Sequence, residues 1–83
     1  MKIKVVLHSA LRLLLPENAH GKAEMEINDG SHLNALLEYM KIEGDVAISV
    51  NDHIETNMQL ELRDGDVVQI FRPSGGGSFK KFD

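Results

Sequence analysis

Cysteine is absent from the 83 residues, which leaves no disulfide framework, no thiolate metal site and no thiol nucleophile. Long apolar runs are absent as well. Leu13-Leu14-Leu15 falls far short of a bilayer span and Met1-Lys2-Ile3-Lys4 does not open a signal peptide, so a cytoplasmic protein with no membrane partner is the expectation. Positive charge is scarce. Nine Lys and Arg against thirteen Asp and Glu give a formal charge of −4, which argues against nucleic acid and anionic lipid and favours basic protein partners. His8, His20, His32 and His53 are scattered without ligand spacing, so no metal is expected. Asp64 and Asp66 form a close carboxylate pair, but no nucleophile or positioned histidine accompanies them and their setting is that of turn residues. A conventional small enzyme is therefore not indicated. What is present is ordinary apolar content, enough for one small domain with a single core.

That content is patterned. Lys2 to His8 alternates, with Ile3, Val5 and Leu7 on one face, and reads as a half-buried strand. Ser9 to Lys22 reads as a short irregular or one-turn helical connection, stopped by Pro16 and folded back by Leu11, Leu14 or Leu15. Ala23 to Asn28 alternates again, placing Ala23, Met25 and Ile27 inward, which predicts an antiparallel hairpin with the first strand. Asp29-Gly30 breaks that strand, and Ser31 is the expected N-cap of a helix over about 32–41. Leu33, Leu36, Leu37 and Met40 fall at i, i+3, i+4 and i+7, one helical face, and Gly44 suits the C′ position that ends it. Val46, Ile48 and Val50 share a strand face, Asn51-Asp52-His53 turns the chain, and Ile54 follows. Asn57 to Arg63 is expected to cross irregularly and tuck Leu60 or Leu62 under the sheet.

The last third is organised around residues 64–77. Asp64-Gly65-Asp66 is turn chemistry, because Gly65 can take positive φ and aspartates bond nearby N–H groups. Val67 to Phe71 is a short β-branched and aromatic strand, and Pro73, lacking an N–H, should end its pairing. Gly75, Gly76 and Gly77 then carry no side chains. The order β, β, α, β, irregular, β predicts an α+β fold with one helix laid across a mixed sheet of four to five strands. The first and last strands should form a parallel pair at its centre: a β-grasp, or ubiquitin-like, fold. The expected organisation is a domain over 1–74 and a flexible glycine-rich tail over 75–83, of which 78–83 looks like an appendage. Strand parity points His8, Gln69 and Phe71 away from the helix, and Ile54 can join them in a partner patch.

Val50-Asn51 before a turn, Leu62 followed by Asp64-Gly65-Asp66, a strand, Pro73 and a Gly-Gly pair together resemble the MoaD/ThiS sulfur-carrier family over residues 2–77. The Arg12-bearing loop and the Pro-Ser-Gly-Gly-Gly ending look more like the molybdopterin synthase small subunit than the thiazole-pathway carrier. The resemblance implies a protein co-substrate that is not itself an enzyme and binds no cofactor. Its working group would be the carboxylate of Gly77, beside Gly76. An ATP-using, ubiquitin-activating-type adenylyltransferase would adenylate it, and a sulfur donor would convert it to a thiocarboxylate for molybdopterin or tungstopterin synthesis. The implied receivers are a molybdopterin synthase large subunit or a thiazole synthase, met through His8, Ile54, Phe71, Arg72, Pro73 and Gly75. One departure stands out: in the family Gly-Gly is terminal, whereas Ser78 to Asp83 follows Gly77 here, which implies a processing peptidase. The alternatives are a carrier in the thiazole pathway and a non-catalytic β-grasp interaction module with an unprocessed tail, whose Phe79 and Phe82 could dock in a partner groove.

Overall fold

The computed structural model describes residues 1–72. Five strands form one mixed sheet in the order β2-β1-β5-β3-β4, and one helix lies across it. β1 (Lys2–Leu7) and β2 (Lys22–Glu26) are the antiparallel hairpin expected from their alternation. β5 (Val67–Phe71) runs parallel to β1 at the sheet centre, with Val5 opposite Val68 and Leu7 opposite Ile70. β3 (Ala47–Val50) pairs antiparallel with the other side of β5, setting Ile48 against Ile70 and Val50 against Val68. These registers bring Ile3, Val5, Leu7, Ile48, Val68 and Ile70 onto one face, all nearly fully buried.

Helix α1 (Leu33–Met40) closes that face with Leu33, Leu36 and Leu37, while Met40 packs at its margin. Burial of such a stripe supplies the stability that eight residues of helix lack alone. Both helix ends differ from the sequence reading. Ser31 is not the N-cap: its hydroxyl donates to the Asn28 carbonyl, and His32 occupies the cap position without a side-chain bond. The orphan N–H groups of the first turn are taken by backbone instead, Leu33 by the Leu60 carbonyl and Asn34 by that of Met58. At the other end the cap is Lys41, left-handed at φ 59 with its N–H reaching the Glu38 and Leu37 carbonyls, and Gly44 takes its positive φ of 88 three residues further on. Ile42, next in line, donates to Leu37 and buries its side chain, which anchors the helix end in the core.

The connections carry the remaining core residues. Between β1 and β2 lie two 3₁₀ turns, Ser9–Leu14 and Glu17–Ala19; Leu11 folds back into the core, Leu15 is half-buried and Leu14 stays outside. The segment after β4 buries Leu62 and partly buries Leu60, as its apolar spacing suggested. One strand was not expected. Asn51 (φ 53) and Asp52 (φ 71) make a two-residue hairpin turn with both residues left-handed, and β4 (His53–Glu55) returns antiparallel along β3.

The Asp-Gly-Asp turn is structural. Asp64 Oδ1 accepts the Lys2 N–H at 2.7 Å, Asp66 Oδ2 accepts the Arg63 N–H at 2.8 Å, and Gly65 sits at φ +89. The Asp66 carboxylate thereby closes the turn, while the Asp64 carboxylate and the Asp66 carbonyl, which accepts the Lys4 N–H at 2.9 Å, pin the start of β5 beside the start of β1. No helix among the described residues is long and apolar enough to cross a membrane.

Candidate docking face

The sheet face away from α1 is open. Reading across it by register, Lys22, Val6, Gln69, Ser49 and Ile54 make one row, and Phe71 lies in the next beside Ala47. His8 follows β1 out of the sheet; its N–H donates to the Ile70 carbonyl at 3.1 Å, which keeps the strand's alternation for one more residue. The imidazole therefore emerges on this same face and stacks on Phe71, with ring centroids 4.3 Å apart and planes 8° from parallel. Its Nε2 lies 3.0 Å from Gln69 Oε1. Ile54, at 73% exposed, stands on the β4 edge of the face. A half-buried aromatic pair, a valine, two small residues and one exposed isoleucine make an apolar patch, with Gln69 inside it and Lys22 at its β2 edge, the composition of a protein-binding surface core with a polar rim.

The structure thus brings His8, Gln69 and Phe71 to one face, as strand parity indicated, and Ile54, expected to join them from a turn, does so from β4. Arg72 is on the other. Its parity is that of Val68 and Ile70, and its Nη2 donates to the Glu43 carbonyl at 2.8 Å, tying the end of β5 to the α1–β3 connection. Gly44 leaves room for it: a Cβ there would meet Arg72 Nη1 at 3.0 Å. Pro73, Gly75, Gly76 and Gly77 lie outside the described residues, as do the tail over 75–83 and the segment 78–83.

Among the described residues no group of three or more acidic or histidine side chains could hold a metal. A recess of about 520 Å³ beside the β1–β2 connection is lined by Ser9, Arg12, Leu13, Pro16, Glu17 and Gly21 among others. Sequence reasoning missed Leu13, 86% exposed on that connection; nothing in its triple-leucine run marks which leucine stays outside.

A five-stranded β-grasp sheet with a single helix on one face and an apolar patch on the other defines the ubiquitin-like class. The chain belongs to the ThiS family, the ubiquitin-like sulfur carriers, whose profile matches residues 15–77. It is similar in structure to a Pyrococcus furiosus protein described as molybdopterin converting factor subunit 1 (TM-score 0.72, 29% identity, covering 88% of this chain and 98% of that one). It also resembles a chain of the complex of subunits 1 and 2 of molybdopterin-converting factor from Helicobacter pylori (TM-score 0.61, 27% identity, 93% and 100% covered). SAMP1 from Haloferax volcanii shares the fold at 14% identity (TM-score 0.69, 93% and 100% covered). No curated protein sequence matches the chain.

Proposed function

We propose that this protein is the sulfur carrier of a molybdopterin-type pathway, working through the carboxylate of Gly77 once Ser78 to Asp83 has been removed. The observation that carries the reading is the extent of the family match, which ends at Gly77 although six residues follow it. As encoded, Gly77 is held in an amide bond to Ser78. A peptidase would add water across that bond, releasing the hexapeptide and a free glycine carboxylate.

The carboxylate is a poor electrophile and becomes reactive when it attacks the α-phosphorus of ATP, with pyrophosphate leaving. The resulting acyl-adenylate is then attacked by a sulfur nucleophile, AMP leaves, and a thiocarboxylate remains. An ATP-dependent adenylyltransferase of the ubiquitin-activating type would supply that site. The carrier contributes an arm of glycines, which can thread a narrow channel because no Cβ obstructs it. It also contributes a face on which partners seat, built on His8, Ile54 and Phe71. In the sequence Arg72, Pro73 and Gly75 stand between Phe71 and Gly77. With neither a metal nor an acid–base pair required of it, the protein acts as co-substrate. These steps, with their ATP and sulfur donor, belong to the cytoplasm.

The receiving partner is proposed to be a molybdopterin synthase large subunit. Two structural relatives above one-quarter identity are molybdopterin converting factor subunits, and one of them was solved in complex with subunit 2. The runner-up is a thiazole synthase, favoured by the family name that the matching profile bears. To test the chemistry, full-length and Gly77-ended forms are presented with ATP and sulfide to the adenylyltransferase from the same organism. Pyrophosphate release and an oxygen-to-sulfur mass change from the Gly77-ended form alone are expected. Failure of both forms sinks the carrier reading, and equal reaction of both sinks the processing step.

A further inference from the structure

One chain of polar side chains crosses this face beside the His8–Phe71 pair. The Gln69 side chain lies between His8 and Asp52: its Oε1 is 3.0 Å from His8 Nε2, and its Nε2 is 3.5 Å from Asp52 Oδ1. The three residues come from three places in the fold, the end of β1, the middle of β5 and the β3–β4 turn. Donor and acceptor identities then propagate along the chain. A carboxylate only accepts, so the Gln69 atom facing Asp52 is the amide nitrogen. The atom facing His8 is therefore the carbonyl oxygen, which also only accepts, and His8 Nε2 must carry the hydrogen. In the neutral ring this leaves Nδ1 as a bare acceptor. Stacking on Phe71 restrains the imidazole from turning over. No group among the described residues bonds Nδ1, and no buried polar side-chain atom among them lacks a partner, so Nδ1 opens to solvent.

We infer that His8 is a specificity-determining residue of the docking face, held as the Nε2–H tautomer by Gln69 and Asp52 so that Nδ1 is presented beside Phe71. The partner it fits is a protein surface that is apolar opposite Phe71, Val6 and Ile54 and places one hydrogen-bond donor, a backbone N–H or a side-chain hydroxyl or amide, opposite Nδ1. An apolar surface of the same shape without that donor would desolvate Nδ1 and leave it unpaired, which is how one polar atom in an apolar patch discriminates between partners. The inference rests on the reading of this face as the docking surface.

Two measurements test it. Long-range ¹⁵N–¹H spectra of the labelled full-length protein, recorded on the neutral imidazole form, report the tautomer directly, and His8→Phe assigns the His8 signals among the four histidines. His8 is expected wholly as Nε2–H, and Gln69→Leu is expected to release it to the tautomer mixture of a free imidazole. That same mixture in the unaltered protein overturns the lock. The second measurement is calorimetric titration with the molybdopterin synthase large subunit of the same organism. His8→Phe keeps a stacking ring but no acceptor and is expected to bind about 10-fold more weakly. Unchanged affinity for His8→Phe, with Phe71→Asp impaired, overturns the acceptor role alone. If Phe71→Asp binds as the unaltered protein does, or if nothing binds, the docking face itself is wrong and the role of Nδ1 falls with it, while the spectra still decide the tautomer.

Discussion

Asn51→Ala should cost this domain more than its exposure suggests. Asn51 is on the surface, yet it closes the junction where the β3–β4 hairpin meets the start of β5. Its N–H donates to the Val67 carbonyl at 2.8 Å, its Oδ1 accepts the Val67 N–H at 2.9 Å, and its Nδ2 donates to Asp66 Oδ1 at 3.0 Å. The side chain thus continues the β3–β5 ladder one rung past the Val50–Val68 pair, at a position where the backbone has turned left-handed to φ 53. Alanine loses twice. An L-residue without a polar side chain pays about 1 kcal/mol for the left-handed conformation, and two solvent-reachable bonds are worth about 0.5 kcal/mol each. The sum is about 2 kcal/mol, a fall in Tm of about 8–16 °C for a domain of this size. Asn51→Gly separates the two contributions, since glycine tolerates the conformation but makes neither bond; about half the loss should remain. Urea unfolding followed by circular dichroism measures both. An alanine variant within about 0.5 kcal/mol of the unaltered protein, or a glycine variant as damaged as alanine, would refute the reasoning.

Further outcomes follow from the core and the open face. Leu37→Ala removes a buried contact between α1 and the sheet and should cost about 2–5 kcal/mol by the same assay; a loss below about 0.5 kcal/mol would mean the helix does not seat on this stripe. Phe71→Asp should leave the Tm within a few degrees while weakening binding to the adenylyltransferase or the large subunit at least about 10-fold, because it places a charge in the centre of the patch. A titration curve identical to that of the unaltered protein would exclude this face as the docking surface.

Much of the fold was legible because its elements are amphipathic. The leucines of α1 lie on one helical face whatever surrounds them, and the alternations in β1, β2 and β5 state which side of each strand is buried. From those alternations alone His8, Gln69 and Phe71 could be sent to a common face. The parts that were not legible depend on partners distant in the chain. Ser31 has the residue type of an N-cap, but carbonyls of the 57–62 segment reach the helix start first, and no local pattern announces them. β4 is three residues with no buried side chain, so it has no alternation to read; its signal was the left-handed Asn51-Asp52 pair, which demands a returning strand.

By itself, the sequence determined which residues could form the core, where the chain must turn, and that its final glycines carry no side chains. Local propensity and periodicity suffice for those, since they act over a few residues. Tertiary structure alone decided that His8 stacks on Phe71 and bonds Gln69, residues 63 and 61 positions away. That contact follows from the parallel β1–β5 register, in which Leu7 meets Ile70 and the next residues of each strand come level. It decided too that Arg72 turns from the face it was expected to serve and ties the end of β5 to the Glu43 carbonyl. Side-chain type says what a residue can bond, but which atom stands within 3 Å of it is set by the sheet that brings the two strands together.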